Sequence, residues 1–170
     1  MSYHTITRRR FGTAVGLGGI ALTGTGVVAA RGQNRNFRTH LSGENEVPPV
    51  ETDARGQATF HLDKTGEELS YKLIVANIED VTMTHIHLGG PDENGPVVVW
   101  LYPEDGPPPA LIEGRFDGVL AEGTITDADL VGELDGASLD DLVAEIRDGN
   151  TYVNVHTVAH PAGEIRGQIH

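Results

Sequence analysis

The sequence predicts an all-β domain, an antiparallel β-sandwich or barrel with one short helix. Most of the chain consists of short segments in which apolar residues occupy every second position, as in strands with one buried face. The 22 glycines and nine prolines punctuate these segments, and regularly spaced turn signals of this kind are typical of all-β folds. A single segment near the C-terminus has helical spacing instead.

Short strands account for most of the chain after residue 36. They are predicted, in order, at residues 37–41, 58–63, 69–75, 81–88, 97–101, 116–125, 152–157 and 163–169. The second strand alternates Ala58, Phe60 and Leu62 with polar residues, which is typical of a strand with one solvated face. Residues 64–67 have turn composition and predict a hairpin between the second and third strands. The fifth strand is continuously apolar and is predicted to be fully buried.

Two segments depart from this pattern. Residues 44–53 contain two adjacent prolines and predict an irregular extended segment, because proline cannot donate to a central strand ladder. Residues 138–147 space their apolar side chains as a helix does. Ser138 is a good N-cap with an acidic residue three positions later, and Gly149 can end the helix.

The N-terminal segment predicts export. Three adjacent arginines at positions 8–10 stand before Phe11, and an uncharged, glycine-rich, mildly apolar run follows and ends in small residues. This is typical of a twin-arginine export signal, with an ordinary secretory signal or an uncleaved anchor as alternatives. We therefore expect an extracellular or cell-surface protein with an export signal at 1–30, a linker at 31–36 and one domain at 37–170.

The charge balance excludes several partners. Without residues 1–30 the chain keeps 9 basic and 25 acidic side chains, a balance of 9 − 25 = −16. Such a charge argues against nucleic acid and against anionic membrane surfaces as partners. An acid excess with only two lysines is typical of an acidic halophilic protein, because strong salt screens the self-repulsion. No cysteine is present, so disulfides and thiolate chemistry are excluded.

Three histidines form the candidate site. His85 and His87 alternate along one predicted strand, which places both on the same face with Cα atoms roughly 7 Å apart, and His156 lies on a second strand. Three neutral imidazoles can hold zinc or copper. The alternative is that they are buried network residues that donate to backbone carbonyls or to Asn154 and pin two strands together.

Several polar residues lie near these strands. Asn154 and Glu164 are candidates to orient the imidazoles from outside the ligand set. Glu164 and Arg166 either form a charged rim beside the histidines or, as we favour, a cross-strand ion pair on a solvated face. Residues 46–49 are predicted as a loop that packs over a sheet edge rather than as a ligand loop.

The order of the motifs resembles the CHRD domain, a family named for chordin. The matching motifs are residues 41–50, Gly56, Thr84-His85-Ile86-His87, Gly95-Pro96-Val97-Val98, residues 152–157 and residues 161–169. The resemblance implies a β-sandwich or immunoglobulin-like domain, of a family whose secreted microbial members have no settled biochemical role. A copper–zinc superoxide dismutase also carries a His-x-His strand in an antiparallel barrel, an analogy of fold only. Chordin binds a growth factor through separate cysteine-rich modules; this chain has no cysteine, so that activity is not carried over.

Three classes of function follow from these observations. The favoured one is an exported binding or surface-associated module for a protein or cell-envelope ligand, with one metal ion on the three histidines. The alternative is a small extracytoplasmic metalloenzyme, superoxide-dismutase-like or hydrolytic, that uses the same histidines. A purely structural domain is the third.

The export signal is directly testable. Replacing Arg8 and Arg9 with lysine should retain the protein inside the cell, because the twin-arginine route reads the arginine pair itself rather than its charge. The measurement is the ratio of intracellular to secreted protein. Normal secretion of the double variant would exclude that route.

Overall fold

The computed structural model describes residues 34–170, so the predicted export signal and residues 31–33 of the predicted linker lie outside the described residues. The strands and the helix are β1 (Asn36–Ser42), β2 (Arg55–Leu62), β3 (Leu69–Leu88), β4 (Val97–Tyr102), β5 (Ile112–Ile125), α1 (Leu139–Arg147), β6 (Thr151–Thr157) and β7 (Ile165–Gln168). The predicted class, antiparallel β with one helix, is confirmed. Among residues 34–170, no helix has both the length and the apolar character needed to cross a membrane.

The strands close into a barrel-like arrangement. β1 pairs with β2 on one side and with β7 on the other, and β7 pairs in turn with β6. β3 completes the ring because it pairs with both β2 and β6. β4 and β5 pair with β3 and lie outside this ring. All of these pairings are antiparallel.

The strand β3 changes partners along its length. Its first half pairs with β2 and β5, and its second half pairs with β4 and β6. The prediction of two separate strands at 69–75 and 81–88 is therefore wrong. Asn77 and Asp80 have φ angles of 58° and 50°, and the register with β5 shifts around them. These turn-forming residues produce bulges within one 20-residue strand.

The barrel interior holds the apolar core, to which α1 contributes four buried side chains: Leu139, Leu142, Val143 and Ile146. The helix begins where the sequence predicts. The Asp141 carboxylate accepts hydrogen bonds from the backbone N–H of Ser138 at 2.9 Å and from its hydroxyl at 2.7 Å. This interaction fixes the first turn of α1.

The strand β6 is buried on both faces. All seven of its residues are buried, although only Val153 and Val155 among them belong to the apolar core cluster. In the register with β3, Asn154 lies opposite His85 and Tyr152 lies opposite His87. Because side chains alternate along a strand, these polar residues share the face directed away from the core. The barrel thus has a second buried layer, which is polar.

Gly167 allows β1 to approach β7 closely. A Cβ atom at this position would lie 2.2 Å from Thr39 Oγ1 and 2.3 Å from the His40 carbonyl oxygen. We expect Gly167→Ala to lower the free energy of unfolding by about 3 kcal/mol or more, because backbone must move to admit the methyl group. Urea denaturation measures this change.

Gly90→Ala is the matched control. A Cβ atom there has Glu93 Oε2 at 4.0 Å as its nearest neighbour. Equal stability losses in the two variants would contradict the proposed packing between β1 and β7.

Candidate metal centre

The three predicted histidines meet on the outer polar face of the sheet. His85 and His87 extend from β3, and His156 extends from the neighbouring strand β6. Their ring centroids are 5.0 to 5.9 Å apart. One possible ligand atom from each residue lies within 4.8 Å of the other two, and the group so formed among residues 34–170 consists of imidazoles alone.

Burial keeps these imidazoles neutral. Their exposed fractions are 2% for His85, 8% for His87 and 6% for His156. Desolvation, together with the neighbouring His156 and His87, lowers the pKa of His85 to about 3. Desolvation likewise lowers the pKa of His87 to about 4, although the hydrogen bond to Gly95 raises it. Desolvation also lowers the pKa of His156. Neutral imidazole is the form that binds metals.

Backbone carbonyls fix the tautomers of two rings. His87 Nδ1 donates to the Gly95 oxygen at 2.9 Å, and His156 Nδ1 donates to the Pro161 oxygen at 3.1 Å. Because a carbonyl only accepts, each Nδ1 carries the proton and each Nε2 keeps a lone pair. His85 Nδ1 then donates to His156 Nε2 at 3.3 Å. This assignment leaves a lone pair on His85 Nε2 as well.

The protein satisfies these lone pairs incompletely. His85 Nε2 and His87 Nε2 are buried and have no hydrogen-bond partner among residues 34–170. An unpaired buried polar atom costs roughly 1–3 kcal/mol. A carbonyl acceptor on one ring nitrogen with a free lone pair on the other is the usual arrangement around histidine metal ligands.

Part of the group already has the spacing that a metal needs. Two nitrogen ligands on a tetrahedral zinc ion stand about 3.3 Å apart, given Zn–N bonds of about 2.0 Å. His85 Nδ1 and His156 Nε2 have this separation, but a hydrogen bond joins them, so the ring of His85 would have to turn its Nε2 lone pair toward the ion. The third ring, His87, lies farther away, with its centroid 5.4 Å from that of His85 and 5.9 Å from that of His156. The donor chemistry fits zinc or copper.

Two aromatic side chains enclose the histidines. The Trp100 ring meets His85 edge-on with centroids 4.2 Å apart, and the Tyr152 ring stacks on His87 at 4.8 Å. The Arg166 guanidinium carbon lies 3.4 Å from the centroid of the Tyr152 ring. The cluster therefore sits in a largely dry, aromatic environment.

Arg166 attaches a loop to the polar face. It is 1% exposed and donates to the Gly90 oxygen at 2.7 Å and to Asn94 Oδ1 at 3.2 Å. Burial lowers its pKa, while nearby Tyr152 and Glu46 raise it. The predicted ion pair of Glu164 and Arg166 on a solvated face is wrong, because both residues are buried.

Glu164 serves a second loop instead. Its carboxylate accepts from the hydroxyls of Thr52 and Thr157, each at 2.7 Å. The loop after β1 is thereby held to β6. The hydrogen bonds that orient the imidazoles come from the backbone carbonyls described above, and the role of Glu164 toward the histidines stays a prediction.

Glu46 is the site residue that sequence reasoning missed. It lies in the predicted loop segment but is only 5% exposed. Its Oε2 accepts from Asn154 Nδ2 at 3.4 Å, which places it beside the residue opposite His85. Burial raises the pKa of Glu46 to about 7, although Arg166 and Asn154 lower it. Only the fold brings this residue to the sheet, so no local signal could have identified it.

The comparison with known families matches nearly all of the described residues. A sequence model of the CHRD domain family covers residues 37–169. The chain belongs to the CHRD domain family. This CHRD domain is 32% identical over 133 residues to chordin from Xenopus laevis and 31% identical over 135 residues to chordin from Danio rerio. Each match covers 76% of this chain and 12% of the relative.

Both matches cover only a small part of each chordin. The chain spans about 12% of the length of the two chordins, so the CHRD domain corresponds to one part of them. No solved structure matches the chain. The candidate metal site on the polar face therefore rests on the geometry of this domain alone.

The neutral histidines should make stability depend on pH. Because the folded-state pKa of His87 lies near 4, below the ordinary value of 6.5, its contribution to stability is complete above pH 6.5 and disappears as pH falls toward 4. In His87→Gln, the slope of unfolding free energy against pH in this window should fall by about 1.4 kcal/mol per pH unit, the equivalent of one proton. Denaturant titrations with a chelator present measure it.

The wild-type protein must be compared with His87→Gln because Glu46 changes the unfolding free energy with pH in the opposite direction. Its pKa is raised by burial, so its contribution is present at low pH and disappears as pH rises toward 7. Equal slopes for the wild-type protein and His87→Gln would contradict a neutral, buried His87.

Proposed function

We propose that this CHRD domain is an exported binding module that holds one zinc or copper ion through His85, His87 and His156. The observation that carries the proposal is the pair of buried Nε2 lone pairs without partners in a group of histidines whose possible ligand atoms lie within 4.8 Å of one another. Carbonyl acceptors hold Nδ1 of two rings, which leaves Nε2 of His87 free and Nε2 of His156 bonded only to His85.

A purely structural role explains these hydrogen bonds less well. A histidine that only pins strands together uses its ring nitrogens to join protein groups, as His156 does between Pro161 and His85. His87 forms a hydrogen bond through Nδ1 only. His85 donates through Nδ1 to His156, and Nε2 of His85 has no hydrogen-bond partner among residues 34–170. A cation provides a partner for a lone pair where the fold provides none.

The charges around the three histidines suit a divalent ion whose positive charge is partly offset by a nearby carboxylate. Arg166 is buried nearby and repels a cation, whereas Glu46 can supply a negative charge on ionisation. Three neutral imidazoles leave the ion its full charge. Ionised Glu46 would offset that charge in a medium where water is scarce.

A sheet edge supports the binding role. β5 pairs with β3 and makes no pairing on its other side among the described strands. Ile74 and Val119 pair across β3 and β5 and are 45% and 42% exposed. We infer that a protein or cell-envelope ligand adds along this edge. Residues 1–30 would export the domain by the twin-arginine route.

Metal content is the first test. Protein purified without an affinity tag and loaded with Zn²⁺ or Cu²⁺ should bind about one ion per chain. Trp100 is the single tryptophan of the sequence and its ring lies 4.2 Å from His85. Cu²⁺ should therefore quench its fluorescence in proportion to the metal bound.

His156→Ala should reduce the bound metal to less than about 0.1 ion per chain, since two imidazoles form a weak site. His61→Ala is the matched control, because His61 is exposed and its ring contacts Asn36. Metal content unchanged by His156→Ala would exclude the three-histidine site.

A further inference from the structure

Two acceptor atoms lie together beside Gly163. Glu46 Oε1 and Asn154 Oδ1 are both buried, and neither has a hydrogen-bond partner among residues 34–170. A Cβ atom on Gly163 would lie 2.8 Å from the first and 2.5 Å from the second. The φ angle of Gly163 is 129°, so glycine suits this turn conformation. Both oxygens therefore lie against Gly163, where any larger residue would collide with them.

The nearby donors of the protein are directed elsewhere. Asn154 Nδ2 donates to the other oxygen of Glu46. The hydroxyls of Thr52 and Thr157 donate to Glu164. A buried acceptor without a donor is unfavourable, and an internal water is the usual remedy where a site is polar. Water supplies two O–H donors, one for each oxygen, and keeps a lone pair.

This pair of oxygens adjoins the histidine cluster. Asn154 lies directly opposite His85 in the register of β3 and β6. The turn that contains Gly163 also provides the Pro161 carbonyl that orients His156. A zinc ion on three imidazoles keeps its fourth position for water in catalytic sites.

We propose that Glu46 and Asn154 bind the water molecule on the fourth position of the metal. Such a water would donate one O–H to Glu46 Oε1 and the other to Asn154 Oδ1 and would keep a lone pair for the ion. The ionised Glu46 carboxylate would be the group positioned to accept a proton from it. The inference rests on the metal site proposed above. It gives that site the arrangement from which metal-assisted hydrolysis begins.

The charges that face Glu46 make proton release a sensitive probe. Arg166 on β7 lowers its pKa, Asn154 on β6 lowers it by hydrogen bonding, and burial raises it to about 7 overall. A divalent ion close by favours the carboxylate form further. At pH 6, metal binding should therefore release a proton from Glu46, whereas at pH 8 that proton is already gone.

The experiment counts protons by calorimetry of Zn²⁺ binding in buffers with different ionisation enthalpies. Wild-type protein should release about one proton more than Glu46→Gln at pH 6, and the difference should vanish at pH 8. Glu44→Gln is the matched control, because Glu44 is exposed in the same loop. It should behave as the wild type.

The outcomes separate the two proposals. Absence of binding in the wild type would refute the metal site itself. Binding with equal proton counts at pH 6 in the wild type and Glu46→Gln would leave the metal site standing and overturn the role of Glu46. A folded Glu46→Gln that loses the metal would make Glu46 a ligand and also overturn it.

A second measurement needs no variant. Azide added to Co²⁺-loaded wild-type protein should displace the water and shift the visible absorption bands. An unchanged spectrum at saturating azide would mean that the ion has no exchangeable position, which would overturn the inference even if Glu46→Gln failed to fold.

Discussion

The structure depends on the burial of a polar sheet face. β6 and the second half of β3 are covered on the core side by apolar residues and on the other side by loops, so β6 is buried throughout. Polar groups in such a layer must find partners or pay the cost of desolvation. Arg166 and Glu164 fasten the covering loops through hydrogen bonds. The histidines are enclosed as a consequence.

The same burial determines the chemistry of the layer. Exclusion of water keeps the imidazoles neutral and holds the Glu46 carboxyl partly protonated near neutral pH. Those two effects are what a metal site with an adjacent proton acceptor requires. Arg166 contributes without an ion pair among the described residues, since its contacts are the Tyr152 ring and neutral oxygens. The positive charge of Arg166 makes it less favourable for this buried polar layer to hold further positive charge.

The sequence could predict the local features of this arrangement. Alternation placed His85 and His87 on one face, and capping residues located α1 at Ser138, because both signals act within a few residues. It could not predict the 20-residue β3, since Asn77 and Asp80 look like a turn and form bulges instead. Glu46 escaped for a different reason: it is 108 positions from Asn154, and only barrel closure brings them together.

X-ray absorption spectroscopy of the tag-free, Zn²⁺-loaded protein is the most direct test of the central claim. The account predicts three imidazole ligands at about 2.0 Å, recognised by their ring scattering, and one further oxygen at a similar distance. A spectrum with oxygen ligands only, or with fewer than two imidazoles, would contradict a metal centre on the buried polar face.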